Sequence, residues 1–311
     1  MYRVWTALLL VSLFAISGTP AFAATKHKKE SAIVAPDPVK DATVNVYCRI
    51  KVGKTIYGTS GSGVFIGTSG IVLTNAHVAQ DLVLIGADKR IDGWCGVRTG
   101  SPAKERYTAA VLYIPPAWIQ DNAAQLAKGR PKGTGENDFA LLYVTGVDGK
   151  GTLPAAFPGL SLDTIGGYNE GQGVTVAGYP NDNLNFSQLR NKLPQTVAST
   201  TITDLKSFTG STVDVVTLAP SAVGNYGASG GAMVNTSGLL TGIITSKGSS
   251  DGDRSLRAIT MPYVDASFRA QTGRALGSIM YSNPAPLAAT LSASLTSDIV
   301  KIVTSGFLKK K

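Results

Sequence analysis

Short β-prone segments separated by glycine turns recur along this chain of 311 residues and limit the folds that it can adopt. Residues 43–52 alternate apolar and polar side chains over the length of one strand, which indicates a half-buried β-strand. Similar short segments lie at 64–66, 82–85 and 173–178, and the 35 glycines are frequent between them. Many short strands joined by such turns are typical of β-barrels. The sequence therefore predicts an all-β fold, and its length suits one large or two ordinary domains.

A serine flanked by glycines lies between two of the later apolar segments. Residues 227–231 read Gly-Ala-Ser-Gly-Gly, with apolar stretches at 215–218 and 239–244 on either side. Glycine adopts positive φ and lets another chain approach closely. In acyl transfer, that approach lets backbone N–H groups stabilise the oxyanion of the tetrahedral intermediate. Because ordinary glycine–serine loops look the same, Ser229 is a candidate nucleophile only if a base accompanies it.

One histidine is placed to serve as that base. Residues 71–78 read Ile-Val-Leu-Thr-Asn-Ala-His-Val, an apolar strand that ends at His77, whereas His27 lies in a lysine-rich segment. Imidazole accepts and returns a proton near neutral pH, so chemistry that needs such a base must use His77. The alternative interpretation is a structural histidine at a strand end, which is the commoner fate of a lone histidine.

An aspartate completes the set. Asp138 stands just before the β-prone segment 139–144, where a solvated turn residue is the alternative interpretation. Together the candidates follow the order His77, Asp138, Ser229, which is the chymotrypsin order rather than the subtilisin or α/β-hydrolase order. The local Gly-x-Ser-x-Gly pattern would also suit an esterase, but that fold places the histidine last.

Three stretches together resemble the catalytic motifs of the trypsin-like serine proteases. They are 74–77 (Thr-Asn-Ala-His), 137–142 (Asn-Asp-Phe-Ala-Leu-Leu) and 227–231. Residues 61–66 and 178–180 also resemble the corresponding sequence segments of bacterial Deg-type members of this group. The ordered set is specific, because three separate motifs and two supporting ones agree.

The resemblance covers about residues 41–275 and implies a chymotrypsin-like fold. We expect two six-stranded antiparallel β-barrels, about 41–155 and 165–275, and a short closing helix near 262–271. Within the first barrel, Pro115 followed by good helix formers predicts a short helix over 115–127, and 128–135 is expected to be a surface loop. The segment 276–311 is of low complexity and too short for a PDZ domain, and we assign it no role.

The resemblance also implies how the residues would act. His77 takes the proton of Ser229 as that oxygen attacks a peptide carbonyl, and Asp138 orients the imidazole. The oxyanion hole is expected at the backbone N–H groups of Gly227 and Ser229. This chemistry, that of a serine endopeptidase, needs no metal and no organic cofactor.

The resemblance constrains the substrate preference less than it constrains the catalytic residues. Ala228 replaces the aspartate that digestive members carry before the nucleophile, so activation through that charge is excluded and the oxyanion loop is less firmly held. An alternative function is therefore a catalytically latent or inactive binding protein of the cell envelope. Val223 stands where an aspartate would select basic residues, so we expect a small or medium apolar residue at the cleavage site. The expected pocket residues are Val223, Thr245, Ser246 and Lys247.

The first residues predict export. Residues 1–23 combine Arg3, an apolar run too short to span a bilayer and an Ala-x-Ala site, as a signal peptide does. We expect cleavage after Ala23, a flexible basic and proline-containing linker over 24–40, and a periplasmic or extracellular location. In such a compartment the even count of two cysteines favours a Cys48–Cys95 disulfide over two free thiols.

The charge of the chain bears on its partners. The formal net charge is +9, but it is spread along the sequence. No basic patch interleaved with aromatic residues and no nucleic-acid motif is present, which argues against a nucleic-acid partner. We expect polypeptide substrates and weak attraction to anionic envelope surfaces, while the sequence does not specify an oligomeric state.

Overall fold

The computed structural model describes residues 37–126, 135–182, 184–208, 210–247 and 254–309. They belong to one compact unit, Pro36–Lys311. The predicted signal peptide, most of the 24–40 linker and most of the predicted 128–135 loop lie outside the described residues. Within the described part, none of the helices combines the length and the apolar character needed to span a membrane.

The chain forms two closed, six-stranded antiparallel barrels, as the sequence predicts. In the first, the strand order is β1-β2-β3-β6-β5-β4, and in the second it is β10-β11-β12-β9-β8-β7. The first barrel contains β1 (Thr43–Val52), β2 (Thr55–Ile66), β3 (Ile71–Thr74), β4 (Ile91–Thr99), β5 (Lys104–Tyr113) and β6 (Ala140–Val147). The second contains β7 (Gly173–Gly178), β8 (Thr196–Lys206), β9 (Val215–Leu218), β10 (Ala232–Val234), β11 (Leu240–Lys247) and β12 (Leu256–Thr260).

Helices lie at the ends and on the surface of the barrels. They are α1 (Pro38–Ala42), α2 (Ala76–Val83), α3 (Pro116–Asp121), α4 (Ala123–Leu126), α5 (Phe186–Asn191), α6 (Met261–Thr272), α7 (Pro284–Leu291) and α8 (Ser297–Lys309). Short 3₁₀ turns occur at Leu276–Ser278 and Ser292–Ser294. The predicted helices over 115–127 and 262–271 correspond to α3 with α4 and to α6.

The barrels share a buried apolar boundary. Side chains from the first barrel, including Ile71 and Leu141, join Val234 and Ile243 of the second barrel and Phe268 of α6 in one continuous cluster of fully buried residues. Burial of aliphatic and aromatic side chains is the main favourable contribution to folding. The two barrels are therefore fixed against each other, and loops from both meet at one end of this boundary.

The predicted strand at 82–85 is wrong. Residues 76–83 form α2, and its buried residues are Ala76, Ala79, Leu82 and Val83. That spacing places them on one face of a helix. Asn75 has an extended backbone and stands at the N-cap, so the helix begins directly after β3. The apolar stretch therefore packs as the inner face of a helix against the first barrel.

The two cysteines form the predicted disulfide. Cys48 of β1 and Cys95 of β4 are direct cross-strand partners, and their sulfur atoms are 2.03 Å apart. The bond joins positions separated by 47 residues along the chain. It therefore links two neighbouring strands of the first barrel covalently.

The segment after α6 returns to the first barrel. Ile299 and Val303 of α8 are 4% and 3% exposed and pack in the same buried cluster as Leu82 of α2 and Trp118 of α3. The ring of Phe307 meets Tyr57 edge to face at 5.9 Å. Residues 297–309 therefore form a brace (here called the α8 brace) against the helix that begins at Ala76.

Candidate active site

The first barrel positions His77 and Asp138 at neighbouring strand ends. Antiparallel pairing of β3 with β6 sets Thr74 opposite Ala140, so the residues just after β3 and just before β6 lie side by side. His77 is the second residue of α2. The side-chain amide of Asn75 donates to the backbone carbonyl of Asp138 at 2.7 Å, which ties the two segments together.

The carboxylate of Asp138 holds His77 at two points. Its Oδ2 lies 2.8 Å from His77 Nδ1, and its Oδ1 accepts the backbone N–H of His77 at 3.0 Å. Burial alone would raise the pKa of Asp138, but the charge of His77 and the hydrogen bonds from His77 and Thr245 outweigh it and lower that pKa. An ionised carboxylate only accepts hydrogen bonds. Nδ1 of His77 is therefore the protonated nitrogen, and Nε2 is the one that accepts a proton.

The backbone just before Asp138 is in an unusual conformation that α6 holds. Asn137 has φ 55°, the one positive φ of a non-glycine residue in the described part of the chain. Its N–H donates to the hydroxyl of Tyr263 at 2.9 Å, and its Oδ1 accepts from Ser267 at 2.7 Å and from Gln271 at 3.3 Å. These partners recur every four residues and so share one face of the helix. A left-handed non-glycine residue persists where its surroundings fix it, and here they fix the turn that presents Asp138.

Ser229 lies on a turn that both barrels hold. Its backbone carbonyl accepts the N–H of Ser62 from β2 at 2.7 Å, and the next N–H, that of Gly230, donates to Ile244 O of β11 at 2.7 Å. Gly230 has φ 85°, and a Cβ there would lie 2.1 Å from Ser62 O. Glycine is therefore required at position 230 for the turn to approach β2.

Thr245 connects the aspartate with the serine. Its hydroxyl donates to Asp138 Oδ2 at 2.8 Å, and its backbone carbonyl accepts the hydroxyl of Ser229 at 3.2 Å. The structure thus brings His77, Asp138 and Ser229 into one cluster, although 152 residues separate the first from the last in the numbering. Thr245 is one of the expected pocket residues, and its bond to Asp138 is not evident from the sequence.

Two consecutive turns contain the expected oxyanion donors, the backbone N–H groups of Gly227 and Ser229. Ala228 N–H donates to Asn225 O at 3.3 Å, and Gly227 at the third position of this turn has φ 90°. That combination, with Tyr226 not at positive φ, defines a type II turn. Within the described residues, neither Gly227 N–H nor Ser229 N–H donates to a protein acceptor. Both are expected oxyanion donors; Gly227 lies in this turn and Ser229 in the next one, which the bond from Gly231 N–H to Ala228 O closes at 2.9 Å.

The expected pocket residues occupy different environments. Val223 is 0% exposed and packs in the core of the second barrel with Met233 and Leu256, rather than on an open surface. Thr245 is 6% exposed, Ser246 is half-buried, and Lys247 is the last residue of β11. Residues 248–253 lie outside the described part of the chain.

The described residues hold no group of three or more His, Cys, Asp or Glu side chains arranged to bind a metal ion. The cluster contains the imidazole of His77, the buried carboxylate of Asp138 and the hydroxyl of Ser229, linked through Thr245. Groups of this kind can carry out nucleophilic catalysis with general acid–base assistance.

Comparison with known proteins defines the class. The model of the trypsin-like peptidase domain family matches residues 61–243, more than half of the chain. The chain therefore belongs to the trypsin-like peptidase domain family. The matched region contains His77, Asp138 and Ser229. No curated protein matches the chain.

Among solved structures, an HtrA-type protease, AlgW, with a decapeptide is similar to this protein. The sequence identity is 21% and the TM-score is 0.49. The match covers 75% of this chain and 65% of the AlgW chain, so this protein spans less than two thirds of the length of that neighbour.

Proposed function

We propose that this protein is an exported serine endopeptidase that cleaves polypeptides through an acyl-enzyme on Ser229. The observation that carries the proposal is the position of the buried Asp138 carboxylate. It contacts the ring of His77 at 2.8 Å and the hydroxyl of Thr245 at 2.8 Å. Thr245 in turn contacts the hydroxyl of Ser229, so one carboxylate organises a base and a nucleophile.

The first chemical step transfers a proton as a bond forms. In the reacting complex the hydroxyl of Ser229 donates to Nε2 of His77 instead of to Thr245 O. His77 takes the proton while Oγ of Ser229 bonds to the peptide carbonyl carbon, and the carbonyl electron pair moves to oxygen. The N–H groups of Gly227 and Ser229 stabilise that oxyanion, an effect that is worth about 10²–10³ in kcat per donor.

Collapse of the intermediate completes the cycle. The C–N bond breaks, and the imidazolium of His77 gives its proton to the leaving amine. Asp138 stabilises the imidazolium without taking its proton. A water molecule, deprotonated by His77, then attacks the ester carbonyl. As the C–O bond to Ser229 breaks, His77 returns the proton to Oγ, which releases the carboxylic product and restores the serine hydroxyl.

Export and cleavage preference form part of the same proposal. The signal-peptide pattern over 1–23 supports export to the periplasm or beyond, with cleavage after Ala23. The resemblance supports preference for a small or medium apolar residue rather than a basic one, because the uncharged Val223 stands where trypsin-type members carry the aspartate that selects basic residues. N-terminal sequencing of the mature protein is expected to begin at Ala24, and a basic preference in a peptide library would contradict the assignment of Val223.

Weak association with anionic envelope surfaces is proposed from the net charge of +9. Such attraction between exposed charges is screened by salt. Co-sedimentation with vesicles that contain anionic lipid is expected at low ionic strength and is expected to disappear at 1 M salt. Equal binding to uncharged vesicles would contradict a charge-based association.

A second candidate function is a latent or inactive binding protein that retains this fold. The hydroxyl of Ser229, which donates to Thr245 O at 3.2 Å, favours it. The two functions differ in whether Ser229 reacts.

A fluorophosphonate probe, which modifies activated serines, separates the two functions. We expect labelling of the wild type and loss of labelling in Ser229→Ala and His77→Ala. Ser237→Ala is the matched control, because Ser237 is an exposed serine outside the cluster. A folded wild-type protein that is not labelled would refute the endopeptidase and favour the binding protein.

A further inference from the structure

A carboxylate that the proposed mechanism does not use lies beside the turn 225–228. Asp182 Oδ1 accepts the backbone N–H of Tyr226 at 3.0 Å. The side-chain amide of Asn225, in the orientation that satisfies its neighbours, donates to Asp182 Oδ2 at 2.8 Å and to Gly224 O at 3.0 Å. Both oxygens of Asp182 are thus engaged with the residues that lead into the oxyanion turn.

Asn181, the residue before Asp182, holds the peptide group between Tyr226 and Gly227. The N–H of Asn181 donates to Tyr226 O at 2.7 Å. In a trans peptide the C=O of Tyr226 and the N–H of Gly227 point in opposite directions. Holding Tyr226 O against Asn181 therefore directs the Gly227 N–H away from Asn181, and Gly227 N–H is one of the two oxyanion donors.

The third peptide group is held by the first barrel. Ser62 Oγ donates to Gly227 O at 2.8 Å, while it accepts the N–H of Tyr179 at 2.8 Å. Three consecutive peptide groups, 225–226, 226–227 and 227–228, therefore each have an external partner. A flip of the central group would break the hydrogen bond that the backbone N–H of Asn181 donates to Tyr226 O.

The turn 225–228 depends on hydrogen bonds from other segments because the residue before the nucleophile is uncharged. Ala228, which is 1% exposed among the core side chains of the second barrel, has no charge with which to hold the turn. Asp182 is half-buried, and hydrogen bonds to an ionised acceptor are roughly twice as strong as those between neutral groups. Asp182, which lies outside the turn, therefore supplies the charged hydrogen-bond acceptor that Ala228 cannot provide.

We propose that Asp182 is a positioning residue that keeps the Gly227 N–H in the orientation of an oxyanion donor. The inference rests on the proposed endopeptidase function. It predicts that Asp182 acts on the transition state and not on substrate binding, because the oxyanion exists only once the carbonyl has been attacked. It also predicts that the turn is competent in the resting protein, with no activating cleavage.

The test compares Asp182→Ala and Asp182→Asn with the wild type, and Glu170→Ala is the matched control. Glu170 is an exposed acid of the second barrel, so the control removes the same charge without touching the turn. For Asp182→Ala we expect kcat to fall by ~10-fold or more, up to the ~10²–10³-fold that complete loss of an oxyanion donor costs, with KM changed less than ~2-fold. Asp182→Asn keeps an acceptor for Tyr226 N–H and is expected to recover most of kcat.

A second readout excludes a general structural effect. Affinity for a peptide boronate, which forms a tetrahedral adduct with the serine, is expected to fall in parallel with kcat in Asp182→Ala, while affinity for a product peptide stays unchanged. If Asp182→Ala does not fold, Asn225→Ala, which removes only one of the two bonds to Asp182, is expected to show the same pattern at smaller size.

The outcomes separate the two proposals. An active wild type with Asp182→Ala equal to Glu170→Ala in kcat would overturn the role of Asp182 and leave the endopeptidase standing. A loss carried by KM alone, or by boronate and product affinity equally, would also overturn it. A folded wild type that fluorophosphonate does not label would refute the endopeptidase itself, and the role of Asp182 with it.

Discussion

Removal of the Cys48–Cys95 disulfide is expected to destabilise the protein by an amount that follows from its position. The bond closes a loop of 47 residues. In the chain-entropy model, a crosslink over a loop of that length stabilises the folded state by about 4 kcal/mol, because it restricts the unfolded chain. For a protein of this size, each kcal/mol shifts Tm by about 2–4 °C, so loss of the bond is expected to lower Tm by about 8–16 °C.

Two perturbations separate the crosslink from the packing of its atoms. The wild type, unfolded with reductant and refolded without oxidant, loses only the covalent bond, whereas Cys48→Ala/Cys95→Ala also loses buried sulfur atoms. The two positions are 1% and 7% exposed. Lost atoms in a core add a cavity cost, so the double variant is expected to be somewhat less stable than the reduced wild type.

Urea unfolding of the three forms, followed by fluorescence and circular dichroism, gives the free energies of unfolding. The reasoning requires both perturbed forms to fall below the oxidised protein by several kcal/mol. A reduced wild type whose free energy of unfolding lies within about 1 kcal/mol of that of the oxidised protein would refute this expectation. Contacts between the β1 and β4 segments would then restrict the unfolded chain about as much as the bond does.

Three further predictions concern the site and its support. Thr245→Val removes a hydrogen bond to an ionised carboxylate and is expected to lower kcat/KM about 10-fold, whereas Thr245→Ser keeps the hydroxyl and most of the activity; equal kinetics for the two variants would contradict the bond. The pKa of Asp138 is lowered in the folded protein from its ordinary 3.8, so its contribution to the free energy of unfolding is complete above that value and is lost as pH falls through the folded pKa. Urea melts at several pH values are therefore expected to show a shallower acid decline in Asp138→Asn than in the wild type, and an identical decline would count against the shift. Ile299→Ala is expected to lower the free energy of unfolding by about 2–5 kcal/mol, measured against the exposed control Lys301→Ala, and a cost equal to that of the control would mean that the α8 brace is not packed.

The two barrels were predictable because three motifs resemble those of a known fold, and the cluster of His77, Asp138 and Ser229 was predictable because each of these motifs is short and distinctive. Strands bounded by glycine turns indicate a barrel, and each of the three residues lies within a short distinctive stretch. The disulfide followed from cysteine count and the expected compartment. These features need no knowledge of which loops meet in space.

The misassigned segment 82–85 shows where pattern reading fails. Four consecutive aliphatic residues suit a buried strand and the inner face of a helix equally well. The deciding information lies upstream, where Asn75 begins a helix and Ala76 and Ala79 extend the same apolar face. Reading the period over 76–83 as one window would have identified the helix.

The roles of Thr245 and Asp182 had no comparable signal. Thr245 reaches Asp138 across 107 positions, and Asp182 reaches Tyr226 across 44. Both contacts join residues that are far apart in the chain, and no local periodicity in the sequence reports them. For the α8 brace a signal did exist, because Ile299, Val303 and Phe307 recur every four residues as an amphipathic helix requires.

The α8 brace also bears on when the site is assembled. Ribosomes make a chain from its N-terminus, so α2 with His77 emerges long before residues 297–309. Until those residues arrive, the buried faces of Leu82 and Trp118 lack the side chains of Ile299 and Val303 that cover them in the finished protein. The support beneath the histidine is therefore completed only after both barrels have been synthesised.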